Sequence, residues 1–251
     1  MSDWDGVEPP ASRQFREDLE ANFRLAEALA PVHCRECNGY HLERARRRVQ
    51  GPTPEALDRP DIIRLLRAWV ADHSLGSDLL DVLVAGSGDT NLLATCAEAL
   101  AGSDVRYTIL DRCQTPLALC DAFASQYGLD VRTLRMDMAA PQGAFAADLV
   151  VVHSLLRFLQ RETHLATMVT LRHWLKPGGA ILFSHRLIGP NADTDNPAYR
   201  TEYEAAEPLR RLFADAGLVV MALEAHIEDP KQAEGRLPRH RVLAVLRAAE
   251  R

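Results

Sequence analysis

Short aliphatic runs recur along residues 80–184, and helical patterns separate them. An unbroken apolar run is typical of a parallel strand that is buried on both faces. The first run, within residues 80–90, ends at two glycines, and a helical pattern follows over 91–101. Four more runs predict strands at 105–110, 131–136, 148–152 and 180–184. Repeated βα units of this kind predict a parallel sheet covered by helices.

The pattern changes towards the end of the chain. Two β-rich runs, at 218–225 and 241–246, have no helix between them. Adjacent strands joined by a hairpin or an extended loop must lie antiparallel. The predicted fold class is therefore α/β, with a doubly wound, mostly parallel seven-stranded sheet and a terminal antiparallel strand.

The first 78 residues have a different organisation. Apolar residues fall on one helical face over 13–30 and again over 60–73, which predicts two amphipathic helices. We therefore divide the chain into an N-terminal helical cap, residues 1–78, and a Rossmann-like sheet domain, residues 79–251. The sequence leaves open whether the cap covers a substrate or forms a homodimer interface through its helices.

Polar residues follow the predicted strands at the sheet edge where open α/β sheets bind ligands. Gly86 and Gly88 would let backbone amides approach a ligand closely. Asp111 ends the second strand, 25 positions after Gly86, and an acid about 20 residues beyond a glycine turn often binds ribose hydroxyls. The alternative for Asp111 is a helix cap. A nicotinamide cofactor would require a third glycine at position 91, which is Asn91.

These features resemble the class I S-adenosylmethionine-dependent methyltransferases. The resemblance covers roughly residues 80–248 and rests on AGSGD, Asp111, Asp137, DLVVVHSLLRFL and LKPGG, which follow one another in the family's order. It implies that S-adenosylmethionine is the cofactor. The chain departs from the family pattern at Val84, where an acid is usual, and at Thr90, where a third glycine is usual.

The resemblance also implies the roles of the cofactor-binding residues. The glycine turn would lie under the methionyl group, Asp111 would hold the ribose, and Asp137 would contact the adenine amino group. The complete set of expected cofactor contacts is Gly86, Ser87, Gly88, Asp111, Arg112, Asp137, Met138 and His153.

The implied reaction is in-line methyl transfer to a nucleophile whose proton must often be removed. His153 follows the fourth strand and is the candidate catalytic base, because histidine titrates near neutral pH. Its alternative is a histidine that bonds a backbone carbonyl where a helix begins. The expected substrate contacts are Tyr40, His41, His185, Tyr199, Arg200 and Tyr203.

The substrate class is predicted mainly by exclusion. The fourth-strand sequence HSLLRF lacks the Asn/Asp-Pro-Pro-aromatic motif of amino-methylating nucleic-acid enzymes of this fold, and the net charge of −6 disfavours nucleic acid. We expect a small molecule with an oxygen, nitrogen or sulfur acceptor. The second hypothesis is a non-catalytic cofactor-binding partner or regulatory protein.

The segment HCRECNGYH contains Cys34, Cys37 and His41, three residues that could share one Zn²⁺. A structural zinc site requires four ligands, and no second CxxC or HxxxH appears, so we predict no metal. The alternatives are buried thiols and a pocket-lining histidine. The arginines at positions 44 and 46–48 predict a solvated helix face, and the alternative is an inward arginine that binds an anion.

Composition places the chain among globular proteins. Hydrophobic residues make up 47% of the chain, enough for a full core, and no apolar run approaches the length of a bilayer span. The acidic first residues lack the pattern of a signal peptide, and the five cysteines form an odd number. We therefore expect a cytoplasmic protein with reduced thiols and no membrane partner.

Overall fold

The computed structural model describes residues 15, 17–34, 37, 39–51, 58–72, 79–187, 203, 205–227 and 240–249. Seven strands form one sheet in the order β3-β2-β1-β4-β5-β7-β6. Their bounds are β1 Leu80–Ala85, β2 Val105–Asp111, β3 Asp130–Arg135, β4 Ala147–His153, β5 Leu175–Arg186, β6 Leu218–Ile227 and β7 His240–Ala248. Only β7 runs antiparallel to its neighbours, β5 and β6. The predicted fold class is confirmed.

The fifth strand begins earlier than the sequence predicts. The register between β4 and β5 shifts between Ala147 and Leu149, and this irregularity accommodates Pro177 and Gly178 within the strand. Gly179 lies so close to the β4 backbone that a Cβ there would be 2.9 Å from the carbonyl oxygen of Ala147. Gly179 is therefore required by the packing of this strand on β4, whereas Gly178 has a positive φ of +79° and open space around it.

Helices cover both faces of the sheet. In chain order they are α1 Leu19–His33, α2 Tyr40–Gln50, α3 Arg59–Asp72, α4 Asn91–Ala99, α5 Gln114–Tyr127, α6 Arg161–His173 and α7 Ala206–Asp215, and a short 3₁₀ helix spans Leu155–Phe158. Within the described residues, no helix has the length and apolar character that crossing a bilayer requires.

The alternation of side chains along the strands gives two apolar cores, one on each face. Val82 and Val84 belong to one core, with Leu66 of α3 and Leu93 of α4. The opposite core contains Val150 of β4 together with residues of α6 and α7. Because α3 contributes to a sheet core, part of the predicted cap packs directly on the sheet.

The cap differs from the prediction in its number of helices. Two amphipathic helices were expected, and α1 and α3 correspond to them, although residues 13, 14, 16 and 73 lie outside the described part of the chain. The additional helix, α2, begins at Tyr40 after Gly39, whose φ of +74° is in the left-handed region. Its apolar face is too narrow to give a clear helical pattern, since the sequence YHLERARRRVQ has four arginines.

Candidate active site

Strand register brings the predicted site residues to one edge of the sheet. Ala85, the last residue of β1, pairs with Leu110 of β2 on one side and with Val152 of β4 on the other. The next residues along these three parallel strands are Gly86, Asp111 and His153. They therefore lie side by side at the carboxyl edge, where open α/β sheets bind ligands.

The glycine turn and Asp111 are joined by hydrogen bonds. Gly86 and Gly88 have φ of +79° and +68°, which favour glycine. The amide of Gly88 donates to Asp111 Oδ2 at 3.3 Å, and the amide of Cys113 donates to Oδ1 at 2.8 Å. A carboxylate has about four acceptor sites, so these two bonds leave acceptor capacity on each oxygen. Asp111 therefore acts as a turn cap and remains able to bind hydroxyl groups.

The other expected cofactor residues lie along the same edge with different orientations. Asp137 is exposed, and its Oδ1 accepts from the amide of Ala139 at 2.9 Å. Met138 is buried, whereas Arg112 lines a cavity of about 130 Å³. The buried Ser87 hydroxyl donates to the carbonyl of Asp89 at 2.7 Å, so it stabilises the turn itself.

Helix α2 lies directly over the glycine turn. His41 is buried, and its Nδ1 bonds the carbonyl oxygen of Gly88 at 2.8 Å. Burial lowers the pKa of His41, but a hydrogen bond to the Cys113 thiol and the charge of Asp111 outweigh it, so the pKa is raised. Tyr40 packs edge-on against Phe158, with 5.2 Å between the ring centroids.

Two arginines of α2 contradict the prediction of a solvated face. Arg46 and Arg47 are exposed, as that prediction requires. Arg44 instead bonds Asp89 Oδ2 at 2.6 Å, and Arg48 contacts the same oxygen at 3.3 Å. These inward arginines therefore pair with a carboxylate of the chain, which the sequence alone does not indicate.

Asp89 is the centre of a buried ionic network beside the glycine turn. Burial alone would raise the pKa of its carboxyl, but Arg44 and Arg48 lower the pKa to about 2. Arg48 also bonds Glu17 at 2.6 Å, and the same carboxylate accepts a hydrogen bond from Thr90, the residue at the family's third glycine position. The network therefore connects the cap to the start of α4.

The candidate base is paired with a carboxylate from the cap. His153 Nε2 lies 3.2 Å from Oδ2 of Asp58, which is 1% exposed. Asp58 also pairs with Arg241 of β7, and Arg241 pairs with Asp61 of α3. Burial opposes ionisation of Asp58, but the hydrogen bond to His153 and the charge of Arg241 lower its pKa below the ordinary range. No local pattern in the sequence indicates this pair, because its members come from distant segments.

Ser154 follows His153 in a strained conformation. Its φ of +52° is the single positive value at a residue other than glycine in the described part of the chain. Its buried hydroxyl has no hydrogen-bond partner among the described residues. Strain of this kind is common at ligand-binding and active sites.

Two of the predicted substrate contacts are enclosed by other side chains. His185 is fully buried between Phe183 and Tyr203, and burial lowers its pKa to about 3. Tyr203 is 6% exposed, and its hydroxyl lies 2.8 Å from Nδ1 of His164. Tyr199 and Arg200 lie outside the described residues. In this arrangement the rings of His185 and Tyr203 contact each other.

Part of the chain matches a known family model. Residues 82–179 match a family model described as a methyltransferase domain. No curated protein matches the chain. The match to the family model spans β1 to the glycine pair of β5, the part of the sheet that carries Gly86, Asp111 and His153.

Solved structures share the fold at low sequence identity. The 1,6-didemethyltoxoflavin-N1-methyltransferase of Burkholderia thailandensis, solved with S-adenosylhomocysteine, is 17% identical, with a TM-score of 0.59 over 97% of this chain and 94% of its own. TehB from Haemophilus influenzae is 15% identical, with a TM-score of 0.56 over 75% of this chain and 62% of its own. The [4+2]-cyclase SpnF is 15% identical, with a TM-score of 0.57 over 74% of this chain and 80% of its own. The resemblance drawn from the sequence is confirmed.

Proposed function

Since residues 82–179 match a methyltransferase domain, we propose that this chain is an S-adenosylmethionine-dependent methyltransferase that acts on an oxygen, nitrogen or sulfur atom of a small molecule. The proposal of catalysis rests on the pairing of His153 with the buried Asp58 beside the glycine turn. A histidine held by a carboxylate is a common arrangement for removing a proton.

The polar groups at the sheet edge fit the cofactor chemically. The remaining acceptor sites of Asp111 suit the two ribose hydroxyls, and the exposed Asp137 suits the adenine amino group. The unpartnered hydroxyl of Ser154 lies next to them, at the end of β4. When bound, S-adenosylmethionine supplies an electrophilic methyl group for direct displacement.

His153 is oriented to accept a proton at one ring nitrogen. Its Nε2 faces Asp58, so a neutral imidazole donates Nε2–H to that carboxylate and keeps the lone pair on Nδ1. Asp58 also stabilises the imidazolium that forms when Nδ1 takes a proton from the acceptor. This role is required for hydroxyl and thiol acceptors, whereas a neutral amine needs less assistance.

Cofactor binding requires a change in the cap. Arg44 Nε lies 3.5 Å from the position that a Cβ would take at Gly88, and His41 bonds the carbonyl of that glycine. The cavity beside Arg112 measures about 130 Å³, whereas small-molecule sites commonly measure about 300–1,000 Å³. We therefore expect the Arg44 side chain to move away from the turn when the cofactor binds.

Calorimetric titration tests the cofactor first. S-adenosylmethionine and S-adenosylhomocysteine should bind, and NAD should not. Folded protein that binds neither of the first two would contradict the proposal. If they bind, release of S-adenosylhomocysteine in the presence of hydroxyl, thiol and amine acceptors identifies the acceptor class.

Substitution of the base tests the mechanism. His153→Ala should lower kcat for a hydroxyl or thiol acceptor by about 100-fold or more, because general-base catalysis contributes about 10²–10⁴-fold. Cofactor affinity should change little. His173→Ala, at the exposed end of α6, is the matched control and should retain full activity. Equal kcat values for the two variants would remove His153 from the mechanism.

The alternative is a non-catalytic protein that binds the cofactor and regulates or assists a partner. The departures at Val84 and Thr90 favour it, and the [4+2]-cyclase SpnF is a neighbour whose described activity is not methyl transfer. This alternative predicts cofactor binding without turnover of any acceptor. Both hypotheses predict that His153→Ala changes cofactor binding little, so turnover by the unmodified protein is the result that discriminates them.

A further inference from the structure

Three cysteines from two parts of the chain lie close together beside the carboxyl edge of the sheet. Cys34 follows α1, Cys37 lies in the loop before α2, and Cys113 immediately precedes α5. The sulfurs of Cys34 and Cys113 are 3.3 Å apart, those of Cys37 and Cys113 are 4.0 Å apart, and all three lie within 4.8 Å of one another. Cys37 and Cys113 are separated by 76 positions in the sequence, which is why sequence spacing did not predict the group.

Two of the distances between the sulfurs, 3.3 and 4.0 Å, lie on either side of the sulfur–sulfur distance in a tetrahedral metal site. Zinc binds thiolates at about 2.3 Å, and tetrahedral angles then place the sulfurs about 3.8 Å apart. A disulfide requires about 2.05 Å, and all three cysteines are free thiols. Small adjustments of the side chains would bring all three sulfurs to equal distances from one ion.

His41 has the surroundings of a metal ligand. A metal-binding histidine usually donates its other ring N–H to a carbonyl or carboxylate. His41 Nδ1 bonds the carbonyl oxygen of Gly88 at 2.8 Å, and the imidazole also interacts with the Cys113 thiol. The bond to Gly88 leaves Nε2 with a lone pair. Among the described residues, the ligand atoms that lie within 4.8 Å of one another are the three sulfurs alone, so the imidazole must turn toward them to bind an ion.

From this geometry we propose a structural Zn²⁺ site formed by Cys34, Cys37 and Cys113, with His41 as the fourth ligand. Three thiolates and one neutral imidazole leave the site with one negative charge. Arg112 and Arg135 line the adjoining cavity of about 130 Å³ with Cys37 and Cys113, and they supply compensating positive charge. The cavity also gives the ion a route to the thiolates.

The site would connect the cap to the sheet. Cys34, Cys37 and His41 belong to the cap, whereas Cys113 lies two residues after Asp111 and donates its amide to that carboxylate. Zinc would therefore fix the position of α2 relative to the glycine turn and to Asp111. The proposal concerns metal binding and stands whether or not the chain transfers methyl groups.

Metal titration of the unmodified protein is the decisive experiment. Bound metal is first removed from the reduced protein with a chelator. Zn²⁺ is then titrated in competition with a chromophoric chelator, and Co²⁺ is used in a separate titration as a spectroscopic substitute for zinc. We expect one ion per chain, a Kd of about 50 nM or tighter, and thiolate-to-cobalt charge-transfer bands. Folded, reduced protein that binds no Zn²⁺ overturns the proposal. A disulfide between two of the three cysteines in the purified protein also overturns it, in favour of a redox pair.

Variants identify the ligands. Cys113→Ser should weaken Zn²⁺ binding by at least about 100-fold, and His41→Ala should weaken it by about 10-fold or more. Cys96→Ser is the matched control, because Cys96 is a buried free thiol outside the group. Circular dichroism establishes that each variant is folded. Unchanged affinity in folded Cys113→Ser contradicts the site, and unchanged affinity in His41→Ala contradicts the fourth ligand.

Discussion

Replacement of Asp89 by asparagine tests whether the buried ionic network holds the cap on the sheet. The carboxylate is 3% exposed and lies within 3.3 Å of both Arg44 and Arg48. Its Oδ1 also accepts a hydrogen bond from the amide of Asn91. Asparagine keeps the size of the side chain and can keep this last bond, so Asp89→Asn removes mainly the charge.

The magnitude follows from the pKa of the carboxyl group. One pKa unit corresponds to about 1.36 kcal/mol. The decrease of the Asp89 pKa from 3.8 to about 2 therefore contributes about 2 kcal/mol to the free energy of unfolding at neutral pH. Since the variant also leaves two arginines without this partner, we expect a loss of about 2–4 kcal/mol. The lowered pKa means that the contribution is complete above pH 3.8 and disappears as the pH falls through 2.

Urea denaturation of the two proteins at several pH values measures this difference. The loss caused by Asp89→Asn should be constant between about pH 7 and 5 and should fall to about half near pH 3. Glu43→Gln on the exposed face of α2 is the control, because its pairs with Arg46 and Arg47 are solvent-exposed and should contribute less than about 1 kcal/mol. A loss below about 0.5 kcal/mol for Asp89→Asn at pH 7, equal to that of the control, would refute the reasoning.

Three further predictions concern the sheet edge. Asp111→Ala should weaken S-adenosylmethionine binding by about 1–3 kcal/mol in calorimetry, and Asp104→Ala, at the exposed opposite end of the same strand, should leave it unchanged. Gly86→Ala should lower the free energy of unfolding by more than Gly128→Ala, for which roughly 1 kcal/mol is expected. Both glycines have a positive φ, but of the two only Gly86 has a side chain close to the position of a Cβ, at 2.8 Å. Burial lowers the pKa of His185 to about 3 in the folded chain, so as the pH falls this histidine takes up a proton in the unfolded chain first. The free energy of unfolding should therefore decrease by about 2 kcal/mol between about pH 7 and 5. His185→Phe should remove this pH dependence in urea titrations, and an unchanged pH dependence would contradict the assignment.

The sheet could be predicted from the sequence because its signals are local. Most strands are short apolar runs, and the turns after β1, β2 and β3 carry glycine or an acidic residue. Because these strands are parallel, Gly86, Asp111 and His153 come to the same edge of the sheet, so their proximity follows from the strand assignments alone. Helix α2 was missed for the same reason, since an arginine-rich segment has little local apolar periodicity.

The chemical partners of the site could not be predicted, because they depend on tertiary contacts. Asp58 lies 95 positions from His153, and Cys113 lies 79 positions from Cys34. Nothing in the spacing of the chain indicates that such residues meet. Arg44 and Arg48 illustrate the same point, because their burial results from the position of α2 over Asp89 and not from their own sequence.

The position of β7 has a consequence for the order of folding. This last strand inserts between β5 and β6, so β6 has no partner in the sheet until β7 has arrived. Arg241 on β7 neutralises Asp58, which is 183 positions earlier in the chain. During synthesis, the carboxylate that orients His153 is therefore made long before the arginine that balances its charge. Contacts of such large sequence separation form slowly, so the catalytic pair should be among the last parts of the molecule to mature.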